Sequence, residues 1–269
     1  MPILSLDHLT LFELTPPQLV DTAARAGFTH VGLRLNPAAP GEHQHPMLGD
    51  TPMRRETIAA LRDCGVAVLD FGVLRLKAET VIEAFEPVLE AGATLGARNV
   101  VVNGDEPDPA RLADLLARLC ELGSRYELCM NLEFTPWTGL DSLASAVAVV
   151  EASGRPEARV MVDTIHVDRS LGTPADIAAV PRTLINYVQL CDGHGPRPTD
   201  FDTMIYQARN ERGFPGEGNI DLAGMLRALP RGIPLSIEAP TAELARTLSP
   251  LERAARALAS TRALLATIA

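Results

Sequence analysis

The feature that most constrains the fold is an alternation: short runs rich in Val, Ile and Leu are each followed by a longer amphipathic stretch, eight times in 269 residues. That pattern arises when strands buried on both faces form a parallel sheet and helices cover it. The runs are ILSLDHLTL (3–11), THVGLRL (29–35), VAVLDFGVL (66–74), RNVVVNG (98–104), LCMNLEF (128–134), RVMVDTI (159–165), NYVQLCD (186–192) and PLSIEAP (234–240). Eight βα pairs in this length predict an α/β protein with a single (β/α)8 TIM barrel over residues 1–269. An open doubly wound sheet would normally carry a GxGxxG turn after its first strand, and SLDHLTLFELTPP contains no glycine. No linker, low-complexity segment or further repeat divides the chain.

The stretches between the runs carry helix punctuation. TPPQLVDTAARAG offers Thr15 as a cap, Pro16 and Pro17 in the first turn and Gly27 as a stop. Gly65, Gly92, Gly96 and Gly154 stand at or near helix exits, and DPARLADLLARLCELG (108–123) keeps its leucines on one face.

Composition excludes several classes. Hydrophobic content of 46% supplies a continuous core, and a formal net charge of −10 opposes the phosphate attraction on which nonspecific nucleic-acid binding rests. No apolar run approaches the ~20 residues that span a bilayer. The opening MPILSLDHLT lacks a basic region followed by an apolar stretch and a cleavage site. The expectation is a cytoplasmic protein with a small-molecule partner and neither nucleic acid nor membrane. Cys64, Cys120, Cys129 and Cys191 lack CxxC spacing and read as reduced packing thiols.

Active sites of such barrels lie at the carboxyl ends of the strands. Four consecutive runs finish with an oxygen-bearing side chain: Glu133 in MNLEF, Asp163 in MVDTI, Gln189 in YVQLC and Glu238 in LSIEA. Alternation puts Asn131 with Glu133, Met161 with Asp163, Tyr187 with Gln189 and Ser236 with Glu238 on shared faces. If those faces point inward, three carboxylates and an amide converge. Their charges would force protonation in a low-dielectric pocket unless a divalent cation offset them. The oxygen-rich donor set favours one Mn²⁺ or Mg²⁺. Read singly, Glu133 and Glu238 could instead pair with Arg34 or Arg75, and Asp163 and Gln189 could hold loops.

The motifs LEF, VDTIH, VQLCD, ERGFPGEG and SIEAP resemble the sugar isomerase and epimerase group of the xylose-isomerase-like TIM barrels. That superfamily also holds tagatose and psicose 3-epimerases, inosose-processing enzymes, 3-dehydroshikimate dehydratases and apurinic endonucleases. The resemblance covers nearly the whole chain; its motifs are specific for fold and metal site and weak for substrate. It implies Glu133, Asp163 and Glu238 as metal ligands, with Gln189 standing where a histidine is commoner. His166 resembles the histidine that contacts substrate oxygens, and Arg212 a substrate-binding arginine. Members of the group often dimerise, so a homodimer is compatible with it.

Other features are weighed against plainer readings. GFPGEG (213–218) lacks the Lys-Ser/Thr of a phosphate loop and reads as a turn presenting Arg212. His43 and His45 read as a solvated loop rather than a second metal site. Trp137 is placed to wall the pocket, and His8 and Arg34, near the ends of the first two runs, are pocket candidates.

The expected reaction is metal-assisted isomerisation or epimerisation of a small polyhydroxy carbonyl compound through an enediolate. Glu133 and Glu238 would exchange the proton, and His166 and Arg212 would fix the hydroxyls. A dehydratase acting on a cyclic keto-polyol shares the first step and is the alternative. An apurinic-site nuclease would need a multi-zinc cluster with many histidines, and the six present include no partner set after VQLCD. A catalytically silent sugar-binding relative is the fourth reading.

Overall fold

Eight parallel strands close on themselves in chain order, so that each pairs with its sequence neighbour and the last pairs with the first. They are β1 (Leu4–Leu6), β2 (His30–Arg34), β3 (Ala67–Leu76), β4 (Asn99–Gly104), β5 (Cys129–Glu133), β6 (Ala158–Asp163), β7 (Val188–Leu190) and β8 (Leu235–Ile237). The computed structural model describes residues 2–37 and 41–268. Closure is carried by β1 against β8, with Ser5 opposite Ser236 and Leu6 opposite Ile237. The result is the predicted (β/α)8 barrel.

Helices form the outer layer: α1 (Pro16–Ala26), α2 (Pro52–Cys64), α3 (Glu86–Thr94), α4 (Pro109–Ser124), α5 (Leu143–Ser153), α6 (Thr164–Arg169), α7 (Pro174–Ala179), α8 (Phe201–Asn210), α9 (Leu222–Ala228) and α10 (Pro250–Ile268). Their punctuation follows the residues. The Gln18 side chain accepts the Thr15 N–H at 2.9 Å before α1, and Gly27 closes it at φ +96°, a left-handed conformation that costs a side-chain-bearing residue energy. Asp108 accepts the N–H groups of Ala110 and Arg111 and starts α4, which buries Leu112, Leu115, Leu116, Leu119 and Leu122. Each buried leucine contributes about 1.5–3 kcal/mol over leaving it exposed.

Gly92 lies in the last turn of α3. A methyl group there would come within 2.1 Å of the Phe71 ring, so this glycine serves helix–strand packing.

Several strands are shorter than their apolar runs. The first ends at Leu6 because Asp7 accepts the Leu9 N–H at 2.8 Å and caps a single 3₁₀ turn, His8–Leu11. The sixth ends at Asp163, whose Oδ1 accepts the Ile165 N–H at 3.1 Å and opens α6. Polar side chains that can satisfy the first free N–H of a helix end a strand that hydrophobicity alone would prolong. The last two strands keep three residues each, so Gln189 sits in the middle of β7 and Glu238 just past β8. All four cysteines are free thiols; Cys120 and Cys191 are buried and Cys64 is exposed. No described helix is long and apolar enough to cross a membrane.

Candidate active site and metal centre

The carboxyl ends of β5 and β6 bring Glu133, Asp163 and His166 together, with a potential ligand atom of each within 4.8 Å of the others. Among the described residues this is the only such cluster of three, and all three are buried. Asp163 is the last residue of β6, and the single turn of α6 returns His166 over it: Nε2 is 3.5 Å from Asp163 Oδ2 and 4.0 Å from Glu133 Oε1. His166 was expected to contact substrate; its placement makes it a candidate ligand as well.

Glu238 and Gln189 complete the ring of strand ends differently. Arg212, 3% exposed, reaches Asp163 Oδ2 at 2.8 Å and Glu238 Oε2 at 2.9 Å through the same Nη1. Its Nε is fixed by the Ala208 carbonyl at 2.7 Å. Arg212 therefore ties two of the expected ligands to each other. Gln189 is paired in register with Asp163 and is 2% exposed, and its Oε1 has no hydrogen-bond partner. A buried amide oxygen without a donor costs roughly 1–3 kcal/mol, which coordination to a cation would offset. On these observations the donor set fits a divalent ion: Glu133, Asp163 and His166 are clustered, Gln189 has a spare oxygen beside them, and Glu238 is joined through Arg212.

A cavity of about 70 Å³ opens onto this cluster. Glu133, Glu238, His166, Arg212, Arg34 and Trp137 all line it, which gathers six of the nine residues singled out from the sequence. The Trp137 ring meets the His166 ring edge-on, with centroids 5.2 Å apart, and walls one side. His8 is not a lining residue. Its Nε2 donates to the Leu14 carbonyl at 2.8 Å and its Nδ1 accepts the Arg34 N–H at 3.2 Å, so both ring nitrogens serve the backbone. His45 stacks on His8 at 5.8 Å, with His43 against its edge.

Four polar lining residues were not among those candidates: Arg75, Asn103, Thr135 and Arg209. Asn103 donates its side-chain N–H to Glu133 Oε2 and orients that carboxylate. Its signal was present, because RNVVVNG also finishes a strand with an oxygen-bearing side chain. Arg75 engages Asp105 at 3.6 Å rather than Glu133.

The electrostatics follow from burial. The Glu133 carboxyl is pushed up to about 8, by loss of water first and then by the charges of Glu238 and Asp163, with Arg212 and Asn103 pulling it down. Burial also raises Asp163 and Glu238, and Arg212 opposes the rise in both. His166 is held well below the usual imidazole range by burial and then by Arg212 and Arg169, so it is neutral and has a lone pair to give. Burial works against the Arg212 charge, yet Asp163 and Glu238 outweigh it and keep the guanidinium protonated.

Arg212 is delivered by a loop with its own anchor. Asp192, 1% exposed, accepts four backbone N–H groups: Gly193 and Ile220 on Oδ1 at 2.8 and 3.0 Å, Gly216 and Gly218 on Oδ2 at 3.1 and 2.9 Å. A methyl group on Gly218 would lie 2.3 Å from the Gly193 carbonyl, so the GFPGEG sequence closes around a carboxylate rather than around a phosphate.

Comparison with known proteins agrees with this architecture. Over 241 residues the chain is 26% identical to a 3-dehydroshikimate dehydratase of Pseudomonas aeruginosa, covering 83% of this chain and 36% of that protein. The chain thus spans little more than a third of the curated relatives it matches. Among solved structures, a xylose isomerase-like TIM barrel/4-hydroxyphenylpyruvate dioxygenase fusion protein superposes with a TM-score of 0.83 at 23% identity, over 99% of this chain and 43% of that one. The IolI protein with a bound zinc atom superposes with a TM-score of 0.80 at 18% identity, over 100% and 99% of the two chains. The model of the family described as "Xylose isomerase-like TIM barrel" matches residues 20–264, and the chain belongs to that family.

Proposed function

We propose that the protein is a divalent-metal-dependent enzyme that moves a proton at the carbon beside the carbonyl of a small polyhydroxy compound, with isomerisation or epimerisation as the outcome. One observation carries this reading: Glu133 and Glu238 line one small cavity from β5 and from the end of β8, three strands apart around the ring. Two carboxyl groups facing a substrate from different sides can remove a proton from one face and return it to the other.

Glu133, lining the cavity from the end of β5, is the first acid–base group. Glu238, held by Arg212, is the second acid–base group. Neutral His166 binds a hydroxyl or joins the ligand set, and Trp137 excludes water beside it. Glu133, Asp163, His166, Gln189 and Glu238 would hold the ion, and the imidazole favours Mn²⁺ over Mg²⁺. When bound, the ion acts as a Lewis acid that polarises the carbonyl and stabilises negative charge on the substrate oxygens. Arg34, Arg75 and Arg209 on the cavity wall suit a substrate that also carries an oxyanion group.

A second reading, dehydration of a cyclic keto-polyol, is supported by the 26% identity to a 3-dehydroshikimate dehydratase. The proton is removed in the same way, and hydroxide then leaves from the next carbon. Incubation with Mn²⁺ in D₂O against ketoses, inososes and dehydroshikimate separates the two. Deuterium at the carbon beside the carbonyl with no loss of water supports epimerisation or isomerisation. Loss of one water with a new conjugated chromophore supports the dehydratase. Binding of these compounds with neither change would overturn both.

A further inference from the structure

Arg75, Asn103 and Glu133 form a row across three adjacent strands. Arg75 of β3 is paired in register with Asn103 of β4, and Asn103 with Glu133 of β5, and all three line the cavity. A hydrogen-bond path runs along the row. Arg75 Nη2 donates to Asn103 Oδ1 at 3.4 Å, and Asn103 Nδ2 donates to Glu133 Oε2. Arg75 is held in turn by Asp105, with Nη1 3.6 Å from Oδ2, and the Asp105 N–H donates to the Leu76 carbonyl at 2.8 Å, which ties that acid to the end of β3. The other oxygen of Glu133 faces elsewhere: Oε1 lies 4.0 Å from His166 Nε2.

An amide between a guanidinium and a carboxylate has one workable sense. Turned over, it would set its own donors against those of Arg75 and its oxygen against the Glu133 carboxylate. An acid at position 103 would repel Glu133, and a hydrocarbon would leave a buried carboxylate oxygen without its donor. We propose that Asn103 and Arg75 are positioning residues for Glu133: Arg75 fixes the sense of the Asn103 amide, and Asn103 fixes the carboxylate with Oε1 turned to the ion site and Oε2 to the β4 side. A carboxylate oxygen has two lone pairs, so Oε2 keeps one for the substrate proton while it accepts the amide N–H. Arg75 acts on Glu133 through Asn103, whatever group the substrate carries. The inference rests on the reading of Glu133 as both ligand and acid–base group.

The test has two readouts: Mn²⁺ affinity of EDTA-treated protein by calorimetry, and kcat and KM for deuterium exchange on whichever ketose, inosose or dehydroshikimate the parent turns over. Asn103→Leu and the smaller Asn103→Ala should each weaken Mn²⁺ binding about 10-fold and lower kcat by about 10–100-fold with KM little changed. Arg75→Met should lower both by about 3–10-fold, and Arg75→Lys, which keeps a donor, should recover most of the loss. Because Arg75 acts through Asn103, the double variant Arg75→Met with Asn103→Leu should be no worse than Asn103→Leu alone. Far-UV circular dichroism confirms the fold of each variant. A parent that binds no Mn²⁺ would overturn the proposed function, and this inference with it. With a parent that binds Mn²⁺, the relay alone would be overturned by unchanged affinity in both Asn103 variants, by losses that add in the double variant, or by an Arg75→Met protein whose KM rises while kcat is intact. A parent that binds Mn²⁺ and exchanges none of these compounds leaves the affinity series to decide in the same way.

Discussion

Arg212 Nη1 lies 2.8 Å from Asp163 Oδ2, an ion pair in which both side chains are almost wholly inaccessible to water. The same nitrogen reaches Glu238, so one guanidinium sits where strand ends concentrate negative charge. Charge of that kind, once buried, must be balanced by residues or by ions. Arg212 balances part of it, and a divalent ion held by Glu133, Asp163 and His166 would balance the rest.

Arg212→Met keeps most of the side-chain volume and removes the cation. With EDTA present, urea unfolding should show a loss of roughly 3–5 kcal/mol, the usual cost of leaving a buried charge without its partner. Saturating Mn²⁺ should recover a large part of that loss. A variant as stable as the parent in EDTA would show that Arg212 does not neutralise the site.

Asp192→Ala should act on Arg212 from a distance. Four backbone N–H groups lose their acceptor, and with roughly 1.5–3 kcal/mol for a hydrogen bond to a charged group, partly recovered by water, a loss of about 3 kcal/mol is expected. Hydrogen–deuterium exchange read along residues 213–220 should accelerate before the rest of the barrel opens. Unchanged exchange in that loop would contradict the anchoring role.

The pH response of the metal-free protein follows from Glu133. Its carboxyl is raised from 4.5 to about 8 in the folded chain. The stability it contributes is fully present below 4.5 and is lost as pH rises through about 8, because the unfolded chain ionises first. In EDTA the melting temperature should therefore fall between about pH 5 and pH 8 more in the parent than in Glu133→Gln. Mn²⁺ affinity should move the other way and rise with pH over the same range, since the ligand must lose its proton. Identical pH profiles for parent and variant would remove Glu133 from this account.

Glu238→Gln keeps shape and removes the acid–base function. Deuterium exchange at the substrate carbon should fall by about 10²–10⁴-fold while far-UV circular dichroism and the melting cooperativity are retained. Full exchange activity would contradict the role given to Glu238.

The barrel was legible because alternation of short apolar runs and amphipathic helical stretches repeats eight times, a signal that no single residue can blur. Glu133, Asp163 and Glu238 were legible for a related reason: a carboxylate ending an apolar run has no packing purpose. What the pattern did not reveal is how these side chains are shared out. That Arg212 bridges Asp163 and Glu238 depends on a loop folded around Asp192, a contact 24–28 residues distant in sequence for three of its four bonds. His8 looked like a pocket residue by position, yet a one-turn 3₁₀ segment after Asp7 rotates it onto the backbone of Leu14 and Arg34.

The most direct measurement is Mn²⁺ titration of EDTA-treated protein by calorimetry, with Asp163→Ala and His166→Ala alongside. One ion per chain should bind the parent, with affinity lowered at least ~10-fold in each variant. Absence of Mn²⁺ binding to the parent, or binding that both variants retain in full, would contradict a metal centre at the ends of β5 and β6.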